Sequence, residues 1–114
     1  MCVNANNVVL LRGRVSSEPR VRELPSGSAI VNLEVTTVVD EASVSVPVVV
    51  EAATVECAAG DEVVVVGTVR RRFFRAGGAT QSRTEVLADK VVRASRTRAA
   101  QKLVESIVVL LDAA

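Results

Sequence analysis

Valine dominates this chain, and it falls in strand-length stretches. Twenty-six of the 114 residues are valine. A side chain branched at Cβ loses rotamer freedom in a helix but packs well on a pleated sheet. Placement strengthens that bias. In Ala29 to Val39, Val31, Leu33, Val35 and Thr37 alternate with Ile30, Asn32, Glu34 and Thr36, which is the period of a two-faced strand. A chain of this length buries roughly two-thirds of its surface on folding and needs neither disulfide nor metal to do so.

Turn chemistry divides the remainder into further strands. Asn7 to Val15 reads as a strand, and Ser16-Ser17-Glu18-Pro19 ends it. Arg20 to Leu24 is extended and forms a hairpin with Ala29 to Val39 through Pro25-Ser26-Gly27-Ser28, where Pro fixes φ and Gly accepts a positive one. Asp40-Glu41-Ala42-Ser43 is a turn into a third strand, Val44 to Glu51. Pro47 cannot donate to a ladder, so it marks an edge or a bulge. Ala52 to Ala58 reads as one short helix ended by Gly60. Glu62 to Phe74 is a long strand bent at Gly67, Ala76-Gly77-Gly78-Ala79 a hairpin tip, and Thr80 to Ala94 the return, interrupted near Asp89.

The last segment changes period. Ala100, Leu103, Val104, Ile107, Val108 and Leu111 follow helical spacing, predicting an amphipathic helix from about Arg96 to Asp112. Ile107 to Leu111 is β-prone, but the period favours helix. The expected organisation is an N-terminal segment 1–6, an all-β domain 7–94 and a C-terminal helix 95–114. Five main strands in this order, with a short helical link between the third and fourth, fit a Greek-key barrel of the OB type.

Several chemistries have no residues to carry them. There is no His, Trp or Tyr, and the aromatics are Phe73 and Phe74. This excludes serine–histidine dyads and His-ligated zinc. Cys2 and Cys57 lie far apart and read as two reduced thiols. Asp40-Glu41 and Asp61-Glu62 are turn residues rather than a metal loop, and Gly77-Gly78 lacks the sequel of a phosphate loop. The expectation is a non-enzymatic chain with no cofactor and no metal. Met1 to Asn7 is polar, and no apolar run approaches the ~20 residues of a membrane helix, so a soluble, cytoplasmic location is expected. Charge is nearly balanced overall yet segregated. Between Leu24 and Val69 there are seven acids and no Lys or Arg, whereas Arg70 to Arg83 holds five Arg and no acid. A second basic group is Arg12, Arg14, Arg20 and Arg22. Such a basic zone suits an anionic partner.

Three stretches resemble the bacterial single-stranded DNA-binding protein family. The first is Asn7-Val8-Val9-Leu10-Leu11-Arg12-Gly13-Arg14-Val15, continuing through Ser17-Glu18-Pro19-Arg20-Val21-Arg22 to Pro25-Ser26-Gly27. The second, Gly60 to Arg70, is similar to that family's Gly-x-x-Val-x-Val-x-Gly-x-Leu-Arg strand, and Arg83-Thr84-Glu85-Val86 to its return strand. The resemblance spans roughly residues 7–93. It implies an OB-fold that binds single-stranded DNA in replication, recombination or repair, and a homodimer or homotetramer. It also implies basic grooves with stacked rings, and Phe74 stands close to where the family has a Trp.

On that basis the expected nucleic-acid ligands are Arg12, Arg14, Arg22, Arg70, Arg71, Arg72, Arg75 and Arg83, with Phe74, and Phe73 as the second choice, stacking on a base. DNA and RNA are not distinguished. The apolar positions Leu103, Val104, Ile107, Val108 and Leu111 either cover the chain's own barrel or form an interface with another copy or a protein partner. A competing reading is an assembly module that has kept the fold and lost most of the DNA surface. Its grounds are the scarcity of rings, the apolar helix, and an ending, Leu110-Leu111-Asp112-Ala113-Ala114, without the family's acidic tail.

Overall fold

The alternating segments become six strands and the helically spaced one a helix. The structure is a computed structural model and describes residues 3–114; Cys2 lies outside them. The elements are β1 (Val9–Val15), β2 (Arg20–Glu23), β3 (Ala29–Val39), β4 (Ala42–Val50), β5 (Glu62–Ala76), β6 (Ala79–Arg93) and α1 (Thr97–Asp112). The strand order is β1-β5-β6-β4-β3-β2, and β1 also pairs with β3. The β1–β3 pairing at Arg14↔Thr36 and Val15↔Val35 closes five strands into a barrel and leaves β2 as an extra strand on the edge of β3. β4 and β6 run parallel and pair only at Val48–Val50 with Val86–Ala88. This is the all-β OB-fold with a C-terminal helix.

One strand serves two cores. Val63 and Val65 point into the barrel beside Val15, Val31, Leu33, Val35, Val48 and Val86. Val64 and Val66 point outward under α1, where they meet Val3, Ala100, Leu103 and Ile107. The run of four valines is therefore buried on both faces. Burial of this kind is worth about 1.5–3 kcal/mol per large aliphatic side chain. α1 relies on this packing: Arg96 at its N-cap makes no side-chain cap bond, its first turn has no acid and its last turn no base.

β5 and β6 stay in step through a bulge. Register passes from Val66↔Lys90 to Gly67↔Ala88, so Asp89 is the additional residue. The slip changes side-chain parity on β6, which lets Val91 on one side and Ala88 and Val86 on the other all reach the barrel interior. A Cβ on Gly67 would collide with the Leu87 carbonyl oxygen, so glycine is required at this crossing. Pro47 stands opposite Glu34, just before the β6 pairing begins at Val48, and its free side is a local edge.

The segment after β4 departs from the sequence reading. Ala52 to Ala58 forms bends, not a helix. Val55 and Cys57 both pack against the barrel core. Side chains two residues apart reach one side only from an extended chain. The Ala52 N–H donates to the Val50 carbonyl (2.9 Å), and the Ala58 N–H to Asp61 Oδ2 (2.9 Å). Gly60 has φ of +93° but caps no helix; its N–H donates to the Val15 carbonyl at 2.8 Å. Cys57 is a free, half-buried thiol, and burial foremost, with Asp61 nearby, pushes its pKa up.

Candidate nucleic-acid interface

The β5–β6 hairpin outruns the barrel. β1 accompanies β5 as far as Val9↔Gly67. Asn7 then extends the pairing by one step: its side-chain amide donates to the Val69 carbonyl (2.9 Å) and accepts from the Val69 N–H (3.0 Å). From Arg70↔Glu85 to Ala76↔Ala79 the two strands have only each other. Gly77 and Gly78, at φ of +60° and +79°, make the two-residue tip.

Strand alternation sorts the hairpin residues onto two faces. Arg70, Arg72 and Phe74 stand opposite Glu85, Arg83 and Gln81 on one face, whereas Arg71, Phe73 and Arg75 stand opposite Thr84, Ser82 and Thr80 on the other. Glu85 is 2% exposed. Arg70 donates to its Oε2 from Nε (2.9 Å) and approaches it with Nη2 (2.8 Å), while Arg72 Nε lies 3.5 Å from its Oε1. The Arg72 guanidinium also lies over the Phe74 ring, 5.2 Å from the centroid, a cation–π contact. Phe74 is half-buried there, and Phe73, on the opposite face, is 66% exposed. Phe73 is thus the ring open to solvent.

A groove of about 420 Å³ runs beside the first face. Arg20, Arg22, Asn32 and Glu34 of β2 and β3 line it with Ser17 and Glu18, and Arg72 and Arg83 of the hairpin complete it. Three of the expected arginines, Arg22, Arg72 and Arg83, therefore meet in one place, joined by Arg20. Glu18 and Glu34 reduce the positive field there without cancelling it.

The other expected residues lie elsewhere. Arg12 pairs with Glu62 at 2.9 Å and lines the clefts beside Ala94 and the start of α1. Arg14 is exposed on β1 and outside the groove. Arg71 and Arg75 are on the far face of the hairpin, where Arg75 Nη2 donates to the Gly78 carbonyl (3.1 Å). Arg70 is held by Glu85. Of the apolar helix positions, Leu103 and Ile107 are buried against the chain's own barrel and Val104 packs at their margin. Val108 and Leu111 are half-exposed, and Val109, which was not among the expected positions, is more so.

Sequence reasoning passed over Glu85 and left Arg20 out of the ligand set. Both had a signal. Arg20 shares a strand face with Arg22, and a two-residue tip at Gly77-Gly78 places Glu85 directly opposite Arg70. Among the described residues no three His, Cys, Asp or Glu side chains gather into a metal-binding group, and no helix is long and apolar enough to cross a membrane.

No protein-family model matches the chain, and no curated protein sequence does. Among solved structures it is similar to a Plasmodium falciparum SSB in complex with ssDNA. The TM-score is 0.65 at 19% identity, over 82% of this chain and 98% of that one. At that identity the likeness carries the fold.

Proposed function

We propose that this chain is a non-enzymatic module that binds single-stranded DNA through arginine–phosphate contacts, in replication, recombination or repair. The observation that carries the reading is the groove: four arginines, from β2, β5 and β6, converge on the face of an OB barrel. The similar SSB, solved with ssDNA, supports the choice of ligand. Guanidinium groups bind phosphates through charge and paired donors. A flexible single strand can follow such a groove. Phe73, on the opposite side of the hairpin from the groove, offers a ring to a base where the strand passes round the hairpin edge, a contact worth about 1–3 kcal/mol.

Charge carries most of such binding, so salt weakens it. Each phosphate contact on a single strand adds about 0.7 to the slope of log K against log salt. Three to four contacts predict a loss of roughly 20- to 50-fold in affinity between 50 and 200 mM salt. Anisotropy of a labelled oligothymidine at those two concentrations tests this. Absence of saturable binding at 50 mM, or binding indifferent to salt, would overturn the reading.

The assembly reading keeps one observation in its favour. Val108, Val109 and Leu111 leave an apolar strip on the outer side of α1, which another copy or a protein partner would cover. Sedimentation of the full chain tests self-association.

A further inference from the structure

The hairpin arginines are not equivalent. Arg70 spends its Nε–Nη2 edge on one oxygen of Glu85 at 2.9 and 2.8 Å. That carboxylate is almost wholly buried, its side chain 1% exposed. A phosphate that captured Arg70 would leave a buried anion short of its main counter-ion, which is costly. Arg72 approaches the same carboxylate more loosely, with Nε at 3.5 Å and Phe74 beneath its plane. Its terminal nitrogens donate no hydrogen bond among the described residues, and its side chain lines the groove. Directly across the ladder from it is Arg83. Like charges opposed on neighbouring strands repel, and an anion in the groove would relieve them.

We propose that Glu85 is a positioning residue that divides the hairpin arginines by task. It retains Arg70 as a structural counter-ion and leaves Arg72 to the groove, where phosphates meet Arg72, Arg83, Arg20 and Arg22 and none meets Arg70. The division rests on the nucleic-acid reading above and specifies the path of the strand.

The test is the salt slope of oligothymidine binding, which counts phosphates and which a merely structural role for Glu85 would leave unmoved. Arg83→Gln and Arg22→Gln each flatten the slope by about 0.7. Arg70→Gln leaves it unchanged. Glu85→Gln frees Arg70 for a further contact and steepens it by about 0.7. Should Arg70→Gln fail to fold, Arg70→Gln with Glu85→Gln removes both charges together and is expected to bind with the wild-type slope. A flattening by Arg70→Gln, or by the double variant, equal to that of Arg83→Gln overturns the division, as does a Glu85→Gln slope no steeper than wild type. If the wild-type chain does not bind, the nucleic-acid reading itself fails; if it binds and the variants disobey this order, only the division does.

Discussion

Replacing Arg70 by methionine keeps much of the side-chain volume but withdraws the nearer cation from Glu85. The carboxylate stays in a site 2% exposed to solvent, with Arg72 Nε at 3.5 Å as its remaining partner. Stripping one partner from a buried ion pair costs about 3–5 kcal/mol. Arg72 remains and the Arg70 side chain is 37% exposed, so water screens part of the loss, and about 2 kcal/mol is expected for Arg70→Met. For a domain this size that lowers Tm by roughly 8 °C. Glu85→Met releases two arginines that water can reach and costs less, about 1 kcal/mol. The double variant removes both charges and falls within about 1 kcal/mol of wild type. Urea unfolding at neutral pH, followed by circular dichroism across all four proteins, gives the coupling energy. A single Arg70→Met cost under about 0.5 kcal/mol, or a double variant as damaged as the sum of its parts, would refute the claim that Glu85 is an internal anion dependent on Arg70.

Other perturbations address separate parts of the molecule. Asp40 and Glu41 turn the β3–β4 hairpin with φ of 49° and 67°; Glu41→Gly should raise stability by about 1 kcal/mol in chemical denaturation, since a non-glycine residue is strained there. Ile107→Ala, at a position 2% exposed, should cost about 2–4 kcal/mol in the same assay, whereas Val109→Ser on the outer side of α1 should change stability by under about 0.5 kcal/mol. Phe73→Ala should weaken oligothymidine binding by about 1–3 kcal/mol at constant salt while leaving the salt slope unchanged, as a stacking ring would. Burial raises the pKa of Cys57, with Asp61 adding to the shift. The unfolded chain therefore loses the thiol proton first, and stability falls as pH rises past the ordinary thiol range toward the higher folded value. Cys57→Ala should remove that alkaline component, measured as Tm against pH.

Legibility in the sequence followed the range of the interaction responsible. The alternation in Ala29 to Val39 and the helical spacing from Ala100 to Leu111 are local patterns, and both elements formed where those patterns lie. Turn chemistry accounts for the local hairpins alone: Pro25-Ser26-Gly27-Ser28 joins β2 to β3 and Gly77-Gly78 joins β5 to β6. The closing pairs β1–β3, β1–β5 and β4–β6 are long-range, and the barrel was legible only through the order of the elements and the family resemblance. Ala52 to Ala58 misled because alanine favours helix locally, while the core claims Val55 and Cys57 at a spacing of two. The groove was half legible. Arg22, Arg72 and Arg83 carried the right charge, but their meeting depends on where β2 lies relative to the hairpin, which no local pattern encodes. The neutralisation of Arg70 was readable in principle from the hairpin register. Charge along the chain does not show it; pairing across the ladder does.

The four valines of β5 make the barrel and the helix a single cooperative unit. Val63 and Val65 fill one layer and Val64 and Val66 the other, so neither layer can loosen without presenting one side of the same strand to water. Melting of α1 and opening of the barrel should therefore merge into one thermal transition. Cutting the chain before Thr97 would do more than remove an appendage. It would expose an aliphatic wall at the centre of the sheet, and the shortened protein would be prone to clump for reasons unrelated to any natural partner.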